Sequence, residues 1–288
     1  MNAASASHES GQLPGGWIHD GQRRRGYRFR PLDGQVELAL AAVATPDQSA
    51  PRQVTALLNG ALAEIGGMAV DEAMVATLSI GDRQYLLRQL AARLEPQPLW
   101  LNAVCGECGE RFDVCYRHAE VPVKAATDDY PLVEVDTSQG QVTVRAPNGD
   151  DQQAIAQCPD EDDCLALLLS RIVQRCDDQP LEVADLSAED IATIEGAAEA
   201  MAPEIASECI SRCPHCRQDN RVALDVYQRL QNGGSELFTD IHRLAAAYHW
   251  SEAEILSLPR QRRQIYLRLL EQSRGLLEAD DHVRRSGV

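Results

Sequence analysis

The sequence predicts an α+β protein that is mainly helical and contains a zinc-ribbon-like β element and short β-hairpins. Blocks with apolar residues at helical spacing, several of them preceded by capping residues, fill much of the chain. Two Cys-x-x-Cys pairs are each followed by a segment in which apolar and polar residues alternate, as they do in a strand. Other alternating segments flank short turn sequences, which is typical of β-hairpins.

The chain begins with a polar segment. Residues 1–26 are rich in Ser, Gly and Gln and include the basic run 23–25. We therefore expect a flexible tail that is solvated or that docks on an acidic partner. From Tyr27 to Leu40 the residues alternate on both sides of Pro-Leu-Asp-Gly, which predicts a first hairpin.

Two helical blocks follow and complete a predicted N-terminal region of residues 27–99. The first has its apolar residues at helical spacing over 54–65, after Thr45-Pro46, and the second runs from Asp82 to the residue before Pro96. We interpret Asp82-Arg83 as a helix cap followed by a surface arginine, and a buried ion pair is the alternative.

Four cysteines form two pairs with the same two-residue gap: Cys105, Cys108, Cys213 and Cys216. This gap lets two thiolates on one turn bind the same metal ion, so the pairs together predict a closed, structural Zn²⁺ site. The alternatives are two unrelated turns or one redox-active dithiol, but a redox pair usually starts a helix, and strand-like segments follow both pairs here. Arg217 follows the last cysteine, where a turn with positive φ favours glycine.

The two pairs are far apart in the chain. The intervening residues 109–212 greatly exceed the about 15 to 20 residues of a compact two-knuckle motif. We therefore expect a discontinuous ribbon, residues 100–118 plus 208–230, with residues 119–207 inserted into it. The remaining cysteines lack ligand spacing and are predicted to be small buried apolar residues: Cys115, Cys158, Cys164, Cys176 and Cys209.

The insertion is predicted to be a hairpin followed by helices. Residues 132–136 and 141–145 alternate around a turn. An acid-capped apolar helix covers residues 164–173, and another begins after Ser187 and runs to Met201. A short helical segment over residues 203–210 is expected to lead into the second cysteine pair.

Residues 235–280 are predicted to form a compact helical module. Ser251 and Glu254 have the spacing of a capping box. Pro259 starts a further helix with Ile265, Leu269 and the neighbouring Tyr266 and Leu270 facing inward. The candidate contact surface consists of one tryptophan and a cationic helix face: Trp250, Arg260, Arg262, Arg263 and Arg268. The alternative for this face is an ordinary solvated surface.

Composition limits the classes of function. The formal net charge is −17, which repels nucleic acid unless the basic residues gather on one face. The sequence lacks an apolar run long enough to span a bilayer and an N-terminal secretion signal, so a cytoplasmic location is expected, where paired cysteines more often bind metal than form disulfides. No nucleotide-binding loop, nucleophile elbow or zinc-protease helix motif is present.

The C-terminal string from Ile241 to Pro259, with Tyr-His-Trp at its centre, resembles the baseplate hub and tail assembly proteins of contractile-tailed phages and of related contractile injection systems. The order of parts agrees from about Tyr27 to Leu270: an early Pro-Leu-Asp-Gly turn, the Gly-Asp-Arg helix, two cysteine knuckles separated by an insertion, and this C-terminal module. The resemblance implies a non-enzymatic structural or assembly protein whose partners are baseplate or tail proteins.

Two other classes of function remain open from the sequence. A zinc-ribbon regulator would bind nucleic acid through residues 23–25 and the cationic face at 260–268. A thiol oxidoreductase would work through Cys213 and Cys216. We expect the first to be disfavoured by the net charge of −17, and the second to have reactive thiols that a bound metal would mask. The oligomeric state is not predicted.

Overall fold

The computed structural model describes residues 10–43, 48–175 and 183–285. The fold is α+β, with more helix than strand and several small antiparallel sheets, which confirms the predicted fold class. Cys176 and the predicted helix start at Thr45-Pro46 lie outside the described residues, as do residues 1–9 of the predicted tail.

The helices, in chain order, are α1 (Gly34–Val43), α2 (Ala50–Ala61), α3 (Glu72–Thr77), α4 (Ile80–Leu94), α5 (Gly149–Ile155), α6 (Glu161–Ile172), α7 (Ala188–Met201), α8 (Val226–Tyr248), α9 (Glu252–Ser257) and α10 (Arg260–Arg285). The strands are β1 (Ser10–His19), β2 (Gln22–Phe29), β3 (Leu62–Ile65), β4 (Met68–Ala69), β5 (Leu99–Val104), β6 (Arg111–Tyr116), β7 (Val123–Lys124), β8 (Leu132–Thr137), β9 (Gly140–Arg145), β10 (Val173–Arg175), β11 (Glu204–Ile205), β12 (Glu208–Arg212) and β13 (Asp219–Ala223).

The chain divides into two compact units. The first contains residues 1–29 and 46–227, and the second contains residues 30–45 and 228–288. The second unit thus combines the predicted C-terminal module with α1, a segment that the sequence assigned to the N-terminal region. Local sequence patterns cannot reveal such a pairing, because it depends on contacts between residues more than two hundred positions apart.

The first sheet corrects the predicted tail and the predicted first hairpin. Its strand order is β1-β2-β3-β4, and β1 and β2 form the hairpin, with Ser10 opposite Arg28 and His19 opposite Gln22. Residues 10–26 are therefore strand rather than tail. The Pro-Leu-Asp-Gly turn leads into α1 instead of a second strand, and the Asp33 carboxylate accepts a hydrogen bond from the backbone N–H of Val36 in the first turn of that helix, at 2.9 Å.

The basic run 23–25 is used to hold this sheet. Arg23 Nε donates to the carbonyl oxygen of Gly15 at 2.7 Å, and Arg25 Nε donates to that of Leu13 at 2.7 Å. Arg24 Nη1 donates to the carbonyl oxygen of Gly66 at 3.2 Å. The polar composition of this segment predicted solvated arginines. In the structure their side chains instead donate hydrogen bonds to backbone carbonyl groups, two of them where the pairing of β1 with β2 is interrupted.

Buried charges connect α4 to the first sheet. Asp82 is fully buried, and its carboxylate accepts hydrogen bonds from the backbone N–H groups of Gly15 and Gly16 at 2.7 and 2.9 Å. Ser79, rather than Asp82, is the N-cap of α4. Arg83 is also buried and donates to the Thr55 hydroxyl at 2.9 Å. Asp82 is therefore a buried anchor, and the prediction of a surface arginine at position 83 is wrong.

The predicted insertion forms a small α/β layer. Strands β10-β9-β8 make an antiparallel sheet, and α6 and α7 pack on it through a buried core that includes Val142, Leu169 and Ile194. Ser187 caps α7 in a capping box with Asp190, as its sequence position predicted. The short helix predicted for residues 203–210 is wrong, because those residues contain β11 and the start of β12.

The second unit packs α1 with α8, α9 and α10. Its core contains Leu244, Ile255 and Leu267. Tyr266 and Leu270 pack partly against this core, as predicted, whereas Ile265 and Leu269 are 48% and 49% exposed, so the prediction is wrong for these two residues. A buried ion pair joins Glu37 of α1 to Arg263 of α10, so the face of α10 that carries Arg263 is turned toward the interior of the unit. Leu267 lies four residues after Arg263 and so shares its buried face.

Candidate metal centre

The two cysteine pairs lie in the turns of two β-hairpins. Strands β5 and β6 pair antiparallel from Leu99 opposite Tyr116 to Val104 opposite Arg111, so the turn between them carries the first pair. Strands β12 and β13 pair in the same manner, with Arg212 opposite Asp219, and their turn carries the second pair. The hairpins occupy residues 99–116 and 208–223, which match the expected ribbon segments 100–118 and 208–230 to within one residue at their starts.

The four sulfurs converge. All Sγ atoms of the two pairs lie within 4.8 Å of one another, which makes the group Cys105, Cys108, Cys213 and Cys216 able to hold a metal ion. The Sγ atoms of Cys105 and Cys216 are 3.5 Å apart, and those of Cys108 and Cys213 are 3.8 Å apart. Four thiolates at the Zn–S bond length of about 2.3 Å form a tetrahedron with edges of about 3.8 Å. The sulfur spacing therefore fits a tetrahedral centre with four thiolate ligands.

The backbone holds each pair in the same turn. In the first, the Cys105 N–H donates to the Glu110 carbonyl and the Gly109 N–H donates to the Cys105 carbonyl, both at 2.9 Å. In the second, Cys213 makes the same two bonds with Gln218 and Arg217, also at 2.9 Å. The two turns are thus equivalent around the sulfur cluster, and each supplies one buried and one exposed cysteine.

The residues after the two pairs confirm the expectation of a positive-φ turn. Gly109 has φ 73°, and Arg217 has φ 65° at the equivalent position. A left-handed conformation costs an L-residue about 1–2 kcal/mol, whereas glycine adopts it without penalty. The second turn therefore keeps the same conformation as the first at a local cost that the first turn does not have.

The hairpins are joined beside the sulfurs. The backbone N–H of Gly106 donates to the Asn220 side-chain oxygen at 3.0 Å, which connects the first turn to β13. Beneath the sulfurs, Cys105 and Cys213 share a buried cluster with Phe112 and Val114. Asn220 was not singled out from the sequence, because the spacing of the cysteines gives no information about which polar side chain will cross between the hairpins.

The thiols have strongly perturbed acidities. Backbone N–H groups of Cys108 and Glu107 donate to the Cys105 sulfur and lower the pKa of Cys105 to about 6. The pKa of Cys108 is raised to about 12: a backbone hydrogen bond from Glu110 opposes this rise, and burial and the neighbouring Cys216 and Cys105 thiols outweigh it. Four sulfurs this close cannot all ionise in a metal-free protein, and a divalent cation would remove that restriction.

The other cysteines of the described chain are not buried, which corrects their predicted role. Cys115 is exposed, while Cys158, Cys164 and Cys209 are half-buried. Cys209 lies on β12 and packs partly against the buried residues beneath the sulfurs. Within the described residues, only the four paired cysteines form a group of potential metal ligands.

The predicted contact surface is only partly available. Arg263 is fully buried and paired with Glu37, and Arg260 pairs with the same carboxylate, so these two arginines stabilise the second unit. Arg262 and Arg268 are exposed. Trp250 is half-buried between aromatic neighbours, with its ring stacked on Tyr248 at a centroid distance of 4.8 Å and edge-on to Tyr266 at 4.9 Å.

Exposed apolar side chains lie on the two hairpins instead. Trp100 and Val104, both on β5, are 66% and 59% exposed, and Ile210 on β12 is 72% exposed. The sequence did not predict these two strands: only the segments after the cysteine pairs were predicted to be strands, and Ile210 lay in the segment predicted to be a short helix. In the part of the chain that the structure describes, no helix is both long and apolar enough to cross a membrane.

Comparisons of the chain with protein-family models, with curated proteins and with solved structures find no match.

Proposed function

We propose that this protein is a non-enzymatic component or assembly factor of a contractile phage tail or a related injection apparatus, and that a structural Zn²⁺ ion stabilises it. The observation that carries the proposal is the convergence of two distant cysteine pairs into one group whose sulfur atoms all lie within 4.8 Å of one another. Thiolate ligands in tetrahedral geometry favour zinc among the common cellular metals. A zinc ion held by four thiolates has no free coordination position for a substrate, which supports a structural role.

The metal would fix two surfaces for protein–protein contacts. It ties the hairpin that carries Trp100 to the hairpin that carries Ile210, across the whole of residues 109–212. Exposed aromatic and aliphatic side chains on a rigid support are typical of partner-binding surfaces. The resemblance of the C-terminal module to tail and baseplate assembly proteins identifies the proposed class of partner.

The nucleic-acid alternative has less support. Its two candidate basic regions are largely engaged: the arginines 23–25 bind backbone carbonyls, and Arg260 and Arg263 bind Glu37. With a formal net charge of −17, the chain as a whole repels a phosphate backbone.

The test combines metal analysis with purification from cells that build the apparatus. We expect about one zinc per chain and recovery of tail or baseplate subunits with the tagged protein. Cys213→Ser should abolish both, whereas Cys115→Ser, which changes an exposed cysteine outside the cluster, should preserve both. Zinc without any tail subunit would leave a structural metal but reject the assembly role. Salt-sensitive retention on DNA or RNA would favour the alternative.

The assembly role makes a further prediction for the exposed apolar residues. Trp100→Ser should reduce recovery of the tail subunits without changing the zinc content, because Trp100 is exposed and lies outside the sulfur cluster. Val123→Ser is a matched control, since Val123 is also an exposed apolar residue, at 44%, on a different sheet. Equal loss in both variants would argue against a specific surface on the hairpins.

A further inference from the structure

The outer face of the first sheet contains a cleft of about 520 Å³. The register of β1, β2 and β3 shows which side chains share this face, because residues directly opposite one another project to the same side of a sheet. The side chains of Tyr27 and Phe29 project to the other side and are buried. The strand residues that line the cleft from the outer face are Ser10, Gln12, Arg24, Gly26, Arg28 and Glu64.

Gly26 lies between Arg24 and Arg28 on this face, and neither its backbone nor its packing requires a glycine. Its φ is outside the left-handed region. A Cβ atom on Gly26 would meet only the Gln12 Nε2, at 3.8 Å, which is an ordinary contact distance. Glycine inside a strand costs about 0.5–1 kcal/mol relative to alanine, and it often marks a place where a ligand approaches the backbone. The open surface at Gly26 therefore suits a ligand.

The charges that line the outer face of the cleft sum to a positive value, although the whole chain is acidic. Arg28 Nη2 and the Glu64 carboxylate form an ion pair at 3.0 Å, so these two charges compensate each other. Arg24 has no carboxylate partner among the described residues: its Nη1 donates to the Gly66 carbonyl oxygen at 3.2 Å, while its Nη2 is not buried and donates to no other described residue.

The turn beside the cleft holds the Arg24 side chain in place. Gly66 has φ 60°, and a Cβ atom there would come within 2.7 Å of the Arg24 side chain, so this side chain lies directly against the turn. The Gly66 N–H in turn donates to the Gly26 carbonyl oxygen at 2.7 Å. A guanidinium group that is held by its stem and keeps an available Nη2 is suited to bind the oxygen atoms of a phosphate group.

We propose that this cleft binds the phosphate group of a small, polar phosphate monoester. Arg24 pairs with the phosphate oxygens, and the missing side chain at Gly26 lets the phosphate lie close to the strand. The volume of the cleft is within the range of about 300–1,000 Å³ that is typical of small-molecule sites, so it also holds the organic part of the ligand. The Ser10 hydroxyl and the Gln12 amide suit a ligand that carries hydroxyl groups. A nucleic-acid strand is a poorer ligand, because its many phosphates would meet the net charge of −17.

The first test titrates the zinc-loaded full chain, free of excess zinc, with glycerol 3-phosphate and with glycerol, in a phosphate-free buffer in a calorimeter. We expect one site for glycerol 3-phosphate and no binding of glycerol. Arg24→Gln should weaken the affinity by about tenfold or more, which is the effect of losing a hydrogen bond between charged groups. Arg221→Gln is the matched control and should leave the affinity unchanged, since Arg221 is an exposed arginine that pairs with Glu208 on another sheet.

A second pair of variants tests the surface at Gly26. Gly26→Asp and Gly26→Asn introduce side chains of nearly the same shape, and the space around a Cβ atom at this position accepts both. Only the aspartate carries a negative charge, so its affinity for glycerol 3-phosphate should be roughly tenfold or more below that of the asparagine variant. Urea unfolding checks that both variants are folded. Equal affinities of these two variants, equal affinities of Arg24→Gln and Arg221→Gln, or no binding of glycerol 3-phosphate to the unmodified chain would overturn the proposal.

Discussion

Exchange of the residues that follow the two cysteine pairs tests the paired-turn geometry of the metal centre. Arg217 has φ 65°, and Gly109 has φ 73° at the equivalent place in the other turn. An L-residue in this region costs about 1–2 kcal/mol relative to its favoured conformations. Arg217→Gly removes that cost from the folded state, while Gly109→Ala introduces it.

The expected magnitudes follow from the surroundings of the two residues. Glycine also increases the conformational entropy of the unfolded chain, which lowers the free energy of unfolding by about 0.4–1 kcal/mol. The net gain for Arg217→Gly is therefore about 0.5–1 kcal/mol, because Arg217 is exposed and little packing is lost. A Cβ atom on Gly109 would meet nothing within 4 Å, so the cost of Gly109→Ala comes from backbone conformation alone and is about 1 kcal/mol or somewhat more.

Thermal and urea unfolding of the zinc-loaded variants measure these effects, together with zinc affinity from chelator competition. For a unit of this size, we expect Tm to rise by about 2 °C in Arg217→Gly and to fall by a similar or larger amount in Gly109→Ala. Arg217→Asn should lie between arginine and glycine, since asparagine tolerates the left-handed region better than most residues. Destabilisation by Arg217→Gly, or no effect of Gly109→Ala, would refute the backbone explanation.

Three other perturbations follow from the same structure. Chelation should disorder the hairpins, because zinc binding of about 10–16 kcal/mol matches or exceeds typical domain stability of about 5–15 kcal/mol; unchanged near-ultraviolet circular dichroism after zinc removal would contradict this. Asp82→Asn should lower the free energy of unfolding in urea by about 2–3 kcal/mol. The carboxylate accepts hydrogen bonds from the Gly15 and Gly16 N–H groups, and in the variant an amide NH₂ would face one of these donors. Hydrogen bonds from the Ser138 hydroxyl and N–H lower the pKa of Asp190 in the folded state, so the ionised carboxylate stabilises the fold above the unfolded pKa of about 4, and this stabilisation is lost as pH falls. Asp190→Asn should therefore make Tm depend less on pH between about pH 5 and pH 2. An unchanged slope of Tm against pH would exclude that role of Asp190.

Local sequence signals predicted local structure well. Ser187 and Ser251 cap their helices as their positions indicated, and the hairpin of β8 and β9 forms around the predicted turn. The two-residue gap within each cysteine pair identified all four ligands of the candidate centre. Each of these features depends on residues close together in the chain, where side-chain chemistry and backbone geometry leave few alternatives.

Predictions failed where distant residues decide the structure. Residues 10–26 look polar, yet they form β1 and most of β2. Where the pairing of the two strands is interrupted, Asp82, more than sixty positions away, accepts the hydrogen bonds of the Gly15 and Gly16 N–H groups. Ile65 continues a helical spacing but belongs to β3, since Tyr27 of β2 pairs with it. Pairing with strands on both sides in a sheet can override helix propensity, which is a weak preference for any single residue.

The sequence by itself determined the mixed fold class, the caps at Ser187 and Ser251, several turns and the four cysteines that form the cluster. Only the tertiary structure decided that those sulfurs lie within 4.8 Å of one another, that Arg263 is buried against Glu37 rather than available to a partner, and that Trp100 is exposed. The physical reason is that capping and thiolate spacing act within a few residues. Burial and ion pairing are instead settled by the packing of segments that are distant in the chain.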